Sequence, residues 1–371
     1  MADNLERFDG KVVLQQRVLP SYRIPFFDRL ASVCAGGLEV YAGMPRPGES
    51  ILTGREPERA RWVKADNRHW FAGGLYMLRQ PGLITWLDDS TPEALVLEAN
   101  LRYLDNWRAI HWAKAESVPV IGWGLGAPAV SDGWNPAAWL WSRFLTSFDA
   151  LITYSSKGAS EYHQAGLEAN RIHVALNAAV GEPTEVPDRQ PPVGRPLRVL
   201  FVGRLQARKN VDHLLRACAR LGPEVVSLRI VGEGPEEPTL GKMAGEIFPA
   251  AEFKGAQQGE ALRSSFEWAD IFVLPGTGGL AVQQAMAHGL PVVVARGDGT
   301  QEDLVRPENG WLLEKESPQE LAAVLKEAAD IPNLLMEMGR AGADIVREEV
   351  NLDAMVEVFL EALRGATERR G

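Results

Sequence analysis

The stretch DIFVLPGTGGLAVQQAMAHGLPVVVAR, residues 270–296, decides the fold class. In it a short apolar run is followed by a glycine-rich turn, a segment of helical periodicity and a second apolar run. Two apolar runs joined by a helix are typical of neighbouring parallel strands in a sheet that helices cover. We therefore predict a strand-helix-strand unit here and look for the same pattern elsewhere in the chain.

The same alternation extends over most of the sequence. The predicted strands are KVVLQQ, LEVYAG, ALVLEA, PVIGWG and ALITYS in the first half, and LRVLFVG, SLRIVGEG, AEFKGA, DIFVLP and PVVVAR in the second. Helical patterns separate them, and three consecutive helices follow Ser317. The alternation predicts an α/β fold of two doubly wound, Rossmann-like domains.

The length and a proline-rich segment predict the domain boundaries. The chain has 371 residues, which is too long for one ordinary core. Residues 181–196, GEPTEVPDRQPPVGRP, contain five prolines and no periodicity, as expected of a linker. We predict an N-terminal domain at 1–180, a linker at 181–196, a second domain at 197–345, and a C-terminal helical segment at 346–371 that braces the first domain.

Composition excludes several classes of protein. The formal net charge of -10 argues against a nucleic-acid partner. The two cysteines, Cys34 and Cys218, cannot form a disulfide framework or a cysteine-rich zinc site, and they fit a cytoplasmic setting. The start of the chain does not resemble a signal peptide, and no apolar run approaches the roughly 18 to 20 residues that span a bilayer. The six histidines are not at metal-ligand spacing, so we predict no bound metal.

Two loops of the second half are candidates for an anion site, because helix N-termini at the carboxyl ends of parallel strands bind anions. In FVGRLQARKN the strand ends at Gly203, and Arg204 and Lys209 suit a diphosphate. In PGTGGL, the glycines and Thr277 precede a helix that begins at Leu280. The alternatives are solvated surface charges for the first loop and a flexible turn for the second. VGEGPEE does not have the glycine spacing of a dinucleotide fingerprint.

Polar side chains also follow two strands of the first half, where a substrate could bind. The first group is Arg17, Ser21, Tyr22 and Arg23, and the second is Glu98, Asn100 and Arg102. Glu98 is the best-placed carboxylate. Ordinary loop packing is the alternative for the first group, and a helix-capping or structural role is the alternative for Glu98.

The order of several motifs in the second half resembles a known family. VGRLQARKN, LRIVGEGPE, FKGAQQGEAL, WADIFVLP, GLAVQQAMAHGLPVV and PENGWLL are similar to the donor domain of retaining GT-B glycosyltransferases of family four, also called glycosyl transferases group one. The resemblance covers about residues 197–315. The first half resembles, more loosely, the acceptor domain of bacterial enzymes that build surface polysaccharides or decorate small molecules. The resemblance implies two domains that face a central cleft.

The resemblance also implies roles for individual residues. Arg204 and Lys209 match the basic pair that holds the donor diphosphate and serves catalysis. The remaining donor-binding candidates are Gly203, Lys254, Gly255, Ala256, Thr277, Gly278, Gly279, Leu280 and Gln284. Among them, the segment 254–256 matches the contact with the nucleobase, and Gln284 matches a glutamate that binds the ribose. The residues of the first half would contact the acceptor or the transferred sugar.

The sequence departs from the family at two carboxylates. Gln284 stands where the family has the ribose-binding glutamate, and an amide can accept a hydroxyl proton only without charge assistance. Gly276 stands where the family has the glutamate that contacts the transferred sugar. Contacts with the sugar must then come from the main chain of residues 277–279 or from the other domain. Either the donor is unusual or catalysis is impaired.

The function implied is the metal-independent transfer of a hexose from a nucleoside-diphosphate sugar, with retention, and without a cofactor. The acceptor would be a sugar, a lipid-linked molecule or another small molecule, for example in surface polysaccharide synthesis. Two alternatives stay open: a non-catalytic partner or binding subunit, which the two missing glutamates favour, and a nucleotide-sugar epimerase. The aromatic helix that contains Trp139, Trp141, Phe144 and Phe148 is either core or a peripheral membrane contact at the inner face.

Overall fold

The computed structural model describes residues 5–47, 49, 51–71, 73, 76–128, 136–181, 183, 186–187 and 189–370. It divides into two compact units. The first extends to Ala179 and includes the chain from Leu352 onward, and the second is Val180–Asn351. Each unit has its own parallel sheet with helices on both faces, so the predicted α/β fold of two doubly wound domains is confirmed.

The first unit alternates strands and helices from its first strand. Its strands are β1 (Val12–Val18), β2 (Leu38–Gly43), β3 (Arg61–Lys64), β4 (Arg68–Trp70), β5 (Met77–Arg79), β6 (Ala94–Glu98), β7 (Val120–Gly124), β8 (Ala150–Thr153) and β9 (Ile172–Val174). Its helices are α1 (Ile24–Val33), α2 (Leu83–Ser90), α3 (Asp105–Ala115), α4 (Pro136–Leu145) and α5 (Ser156–Gln164). A short 3₁₀ turn at Ser21–Arg23 leads into α1.

Within the described residues of this unit, seven strands form one sheet in the order β3-β2-β1-β6-β7-β8-β9. The pairings are parallel: Val12 lies opposite Leu38 on one side and Ala94 on the other. The strand order therefore reverses between β1 and β6, which is where open α/β sheets bind ligands. Strands β4 and β5 form a separate antiparallel pair.

The second unit repeats this plan. Its strands are β10 (Leu197–Val202), β11 (Val226–Val231), β12 (Glu252–Phe253), β13 (Ile271–Leu274), β14 (Val292–Ala295) and β15 (Gly310–Leu313). Its helices are α6 (Val211–Leu221), α7 (Glu237–Ile247), α8 (Gly259–Trp268), α9 (Leu280–Ala287), α10 (Thr300–Leu304), α11 (Pro318–Asp330) and α12 (Pro332–Glu348). In the part of the unit that the structure describes, the parallel sheet has the order β12-β11-β10-β13-β14-β15, so the reversal lies between β10 and β13.

A last helix, α13 (Leu352–Glu368), belongs to the first unit. It packs against α1 and against strands β7 to β9. The ring of Phe359 lies 4.8 Å from that of Phe26 and 4.9 Å from that of Trp123, measured between centroids. The predicted segment 346–371 is thus divided, because 346–351 are part of the second unit and the helix that follows completes the core of the first.

The predicted linker is attached to the second unit. Residues 182, 184, 185 and 188 of this segment lie outside the described residues. Arg189 donates hydrogen bonds to three carbonyl oxygens: His288 O at 3.0 Å, Phe266 O at 2.9 Å and Ala269 O at 2.5 Å. These carbonyls lie at the C-terminal ends of α8 and α9, where a guanidinium replaces the missing intrahelical donors. This side chain therefore ties the segment to both helices.

The described residues include no helix that is long and apolar enough to cross a membrane. Cys34 and Cys218 are buried and unpaired, and burial raises the pKa of both thiols to about 12.

Candidate functional site

The candidate site of the second unit lies at the reversal of its sheet. Strands β10 and β13 are neighbours and run in parallel, so the loops that follow them meet at the same edge. The basic loop, which follows β10, contains Arg204 and Lys209, and the glycine turn, which follows β13, consists of residues 276–279. The structure brings these two predicted loops into direct contact.

The backbone of the two loops is joined by hydrogen bonds. The N–H of Thr277 donates to the carbonyl oxygen of Arg208 at 3.1 Å. Asn210, which precedes α6 with a left-handed φ of 51°, donates from its side-chain amide to Pro275 O at 3.2 Å. Asparagine is one of the few residues that adopt this conformation without large strain. The basic loop is therefore held against the glycine turn before any ligand binds.

Lys209 lies at the centre of this contact. Its ammonium donates to Thr277 O at 2.5 Å. Burial lowers the pKa of Lys209 to about 8, the charge of Arg208 adds to this effect, and the carboxylate of Asp298 opposes it. The ammonium is thus poorly solvated and has no carboxylate in contact with it among the described residues. A half-buried cation with this environment is suited to an anionic ligand.

Two glycines of the turn leave no room for side chains. A Cβ atom at position 278, where φ is 143°, would lie 2.3 Å from Nζ of Lys209. A Cβ atom at position 276 would lie 2.3 Å from Arg208 O and 2.6 Å from the carbonyl carbon of Lys209. The second clash is with backbone atoms, which cannot rotate away. The absence of a side chain at Gly276 is therefore a requirement of how the two loops pack.

The other cations of the loop differ in their environment. Arg204 is exposed, and its guanidinium makes no hydrogen bond or ion pair with the residues that the structure describes. Arg208 is also exposed, and its Nη1 donates to Oγ1 of Thr277 at 3.2 Å. Sequence reasoning missed Arg208, because its contact with the glycine turn depends on the 3₁₀ turn Ala207–Lys209. The loop therefore presents three cations to this edge of the sheet.

Helix α9 begins at the glycine turn. The N–H of Gln283 donates to Gly279 O at 3.1 Å, and the helical N–H groups before it have no intrahelical acceptor. No side chain caps this end. The free N–H groups and the positive end of the helix dipole complement a phosphate beside Lys209.

The two adjacent glutamines of helix α9 lie in different environments. Gln283 is buried, and its amide donates to Val350 O at 2.5 Å. Gln284, the predicted ribose contact, is half-buried and one step further around the helix. The structure is therefore consistent with a structural role for the first glutamine, and the role of the second stays a prediction.

The turn at residues 298–301, which sequence reasoning missed, packs on the glycine turn. Gln301 is fully buried, and its Nε2 donates to Gly278 O at 2.7 Å. Oδ1 of Asp298 accepts hydrogen bonds from the N–H and Oγ1 of Thr300 at 3.1 and 2.6 Å. No sequence motif marks Gln301, because its contact with Gly278 joins segments that are more than twenty residues apart.

The predicted nucleobase segment lies at the ends of β11 and β12. The N–H of Gly232 donates to Gly255 O at 2.8 Å, and a Cβ atom at 232 would lie only 1.9 Å from Gly203 O. Ala256 donates from its backbone to Oε1 of Glu233 at 3.3 Å. The ammonium of Lys254 is exposed and lies 2.9 Å from Glu252. The three loop ends thus pack together, while the nucleobase contact itself stays a prediction.

In the first unit, Arg17 and Glu98 meet where the strand order reverses. The backbone N–H of Arg17 donates to a carboxylate oxygen of Glu98, and its guanidinium donates to Glu49 Oε2 at 2.6 Å. Burial raises the pKa of Glu98, although both Arg17 and Arg23 oppose this shift. Burial would also raise the pKa of Glu49, but hydrogen bonds from Arg17 and Arg46 outweigh it and lower that pKa to about 2.

The remaining candidate residues of the first unit make different contacts and do not all face one site. Arg23 stacks over Trp123 at 4.3 Å and donates to the hydroxyl of Tyr154 at 2.7 Å, so it packs on the core. Ser21 donates its backbone N–H to Leu52 O at 2.8 Å, and Tyr22 is 43% exposed.

Asn100 shapes the loop after β6. Its Oδ1 accepts from the N–H of Arg102 at 3.1 Å, and the side chain of Arg102 is exposed. Asn100 therefore has a local structural contact, as the alternative reading of this group expects.

A buried polar network under this edge was not predicted. Gln15 donates to the side-chain oxygen of Gln80 at 2.5 Å, and Gln80 donates to Asn67 at 2.9 Å. Asn67 in turn donates to Arg17 O at 2.7 Å. The one signal in the sequence was a pair of glutamines, Gln15 and Gln16, inside an apolar strand. The network fixes the backbone that carries Arg17.

Among the residues that the structure describes, no group of three or more histidine, cysteine, aspartate or glutamate side chains is arranged to hold a metal ion. The aromatic segment at α4 supports both alternatives, core packing and membrane contact. Phe144 of α4 and Phe148 after it are buried, whereas Trp139 of α4 is 58% exposed.

Part of the chain is similar in sequence to known proteins. The family model for glycosyl transferases group 1 matches residues 184–344. A GDP-mannose-dependent alpha-mannosyltransferase of Mycolicibacterium smegmatis is 35% identical over 189 residues, which cover 48% of each chain. A putative colanic acid biosynthesis glycosyltransferase, WcaL, of Salmonella typhimurium is 31% identical over 39% of each chain. The chain spans about half the length or less of these curated relatives.

Solved structures match over nearly the whole chain. Anabaena Alr3699/HepE in complex with UDP has a TM-score of 0.70 at 15% identity, with 95% of this chain and 99% of that chain covered. The lipopolysaccharide outer core galactosyltransferase WaaB has a TM-score of 0.69 at 15% identity and the same coverage. At this identity the likeness shows the fold alone. Residues 184–344 are thus similar to glycosyl transferases group 1, and the chain has the GT-B glycosyltransferase fold.

Proposed function

We propose that this protein is a glycosyltransferase of the hexosyltransferase type, which binds a nucleoside-diphosphate sugar through its second unit. The observation that carries the proposal is the partly desolvated Lys209 beside the start of α9, at the reversal of the sheet. A diphosphate there would receive charge-assisted hydrogen bonds from Lys209 and from Arg204, together with backbone N–H groups of the helix start.

The same groups would assist departure of the nucleotide. When the bond between the sugar and the diphosphate breaks, negative charge grows on the phosphate oxygen. Cations and N–H groups already in position stabilise this charge more strongly than they stabilise the ground state. The cations of the protein would thus replace a divalent metal. We further propose that the reaction proceeds with retention, with a phosphate oxygen of the leaving group taking the proton of the acceptor hydroxyl.

The names of the matched proteins suggest the first donors to test. The curated relatives include GDP-mannose-dependent mannosyltransferases, and HepE structures contain UDP, UDP-glucose or UDP with glucose. GDP-mannose and UDP-glucose are therefore the two donors of choice.

The acceptor would bind to the first unit, near Arg17 and Glu98, where the sheet of that unit reverses. A role in polysaccharide or glycoconjugate synthesis is suggested by relatives such as WcaL. A lipid-linked acceptor or a peripheral membrane contact is supported by the exposed Trp139 and Leu140 of α4, with Arg143 stacked 5.7 Å from the ring of Trp139.

The proposal is tested by incubating the protein with GDP-mannose or UDP-glucose and following the donor by proton NMR. Release of nucleotide is expected, with water taking the sugar when no acceptor is supplied, and Lys209→Ala should abolish it without unfolding the protein. Lys326→Ala provides a matched removal of a lysine whose ammonium pairs with Asp330 on α11 instead. A new epimer of the intact donor would indicate isomerisation, and binding without any turnover would indicate a non-catalytic subunit. Either of these two results would refute transfer.

A further inference from the structure

A carboxylate lies beside the candidate diphosphate site, on the turn between β14 and α10. Asp298 is exposed. Its Oδ1 accepts both hydrogen bonds from Thr300, at 3.1 Å from the N–H and 2.6 Å from Oγ1. Its other oxygen makes no hydrogen bond to any residue that the structure describes. Half of the carboxylate is therefore fixed by the protein, and the other half is available to a ligand.

The position of this turn is set by its packing on the glycine turn. The buried side chain of Gln301 donates to Gly278 O at 2.7 Å. A Cβ atom at Gly279 would lie 3.3 Å from Oγ1 of Thr300, which places this hydroxyl against the start of α9. Asp298 also acts on Lys209, because its charge raises the pKa of the lysine. The carboxylate is thus within electrostatic reach of the cation that would hold the diphosphate.

Two other carboxylates near these loops are engaged. Glu316 accepts from the side chain of Asn210 at 3.3 Å, and Glu233 accepts from the N–H of Ala256 at 3.3 Å. Position 276 cannot supply a side chain, because Arg208 and Lys209 backbone atoms occupy the space. Asp298 combines a fixed position, an oxygen without a hydrogen bond to the described residues, and an electrostatic effect on Lys209.

We propose that Asp298 binds hydroxyl groups of the transferred sugar and thereby selects the intact donor. This inference rests on the proposed function. The sugar is bonded directly to the diphosphate, so a group beside the phosphate-binding lysine faces the sugar. A carboxylate forms charge-assisted hydrogen bonds with sugar hydroxyls, whereas it repels the diphosphate itself. Asp298 should therefore favour the nucleotide sugar over the free nucleotide.

The test compares affinities for donors and for their nucleotides. Calorimetry is performed on wild type and Asp298→Asn with GDP, GDP-mannose, UDP and UDP-glucose. Asparagine retains an oxygen that accepts from Thr300, so the turn should remain folded. We expect donor affinity to fall about tenfold or more, because a charge-assisted bond is lost. Affinity for the free nucleotide should be unchanged or higher, because a repulsive charge has been removed.

Two further variants show whether the effect is specific to the charge and position of Asp298. Asp330→Asn neutralises an exposed carboxylate at the end of α11, which pairs with Lys326, and should change neither affinity. Thr300→Val keeps the charge of Asp298 but removes one of its two anchors, so donor affinity should fall by a smaller factor. Melting curves verify that each variant is folded.

The outcomes separate this inference from the proposed function. Equal changes in donor and nucleotide affinity, or an unchanged preference in Asp298→Asn, would overturn the role of Asp298 alone. If wild type bound none of the four compounds, the proposed function would fail, and the role of Asp298 would fail with it.

Discussion

The packing of Gly276 leads to a prediction that differs from the one its place in the sequence suggests. From the sequence, a glutamate at 276 would enter the space of the sugar and leave nucleotide binding intact. In the structure that space is filled by the backbone, because a Cβ atom would lie 2.3 Å from Arg208 O and 2.7 Å from Cα of Lys209. Any side chain must therefore push the basic loop away from the glycine turn.

The smallest such change, Gly276→Ala, tests this reasoning most cleanly. Overpacking of a well-packed region costs about 1 to 3 kcal/mol. The free energy of unfolding of the second unit should fall by about this amount in urea titrations. Nucleotide affinity should fall as well, because the displaced segment carries Lys209. Gly276→Glu should show both losses, rather than a gain of activity.

Gly241→Ala is the matched control. Gly241 lies inside α7, and a Cβ atom there meets nothing within 4 Å. Because alanine is the better helix former, this change should stabilise the unit by up to about 1 kcal/mol. Unchanged stability and unchanged nucleotide affinity in Gly276→Ala would refute the account of the loop contact.

Four other predictions concern the same site. Because the pKa of Lys209 is about 8, nucleotide affinity should be constant below that pH and fall above it as the ammonium loses its proton. Lys209→Arg should remove this fall in calorimetric titrations. Wild-type affinity that persists well above pH 8 would contradict a role for the charge. The same lowered pKa means that the unfolded chain holds more protons above pH 8, so the unfavourable contribution of Lys209 to stability should diminish as pH rises. Turnover should persist in excess chelator, since Arg204 and Lys209 would replace a metal, and a strict requirement for magnesium or manganese would disprove this. Gln284→Glu should tighten nucleotide binding about tenfold at most, because a carboxylate makes a stronger bond to a ribose hydroxyl, and a clear loss of affinity would exclude Gln284 from the ribose contact.

Most of the buried strands could be predicted because their residues are largely apolar. Strands β13 and β14 are buried throughout, and their sequences contain no polar residue. Strand β3 was missed, because its sequence, RWVK, is polar at both ends and lies at the edge of the sheet with exposed side chains. Helix α10 was missed for a different reason, since its five residues are too few to show a helical period.

The loops of the candidate site could be located from the sequence, but their contacts could not. Strand ends and helix starts are local features, and they indicated Arg204, Lys209 and the glycine turn. The placement of Asp298 depends on how the turn after β14 packs on the turn after β13, which no local pattern records. The space beside Gly276 is likewise filled by backbone atoms of another segment, which the sequence does not show. From the sequence alone, the missing glutamate therefore suggested an empty place in the sugar site.

Helix α13 has a consequence for the order in which the protein folds during synthesis. Its residues Met355, Val356, Phe359 and Leu363 are buried in the core of the first unit, together with side chains of α1 and the central strands. Domains generally fold as units and N-terminal first as the ribosome releases them. Here the first unit must wait until the entire second unit has been translated before its last helix arrives. For that interval the nascent chain exposes an apolar face that α13 will later cover, and translation speed through the second unit sets how long chaperones must protect it.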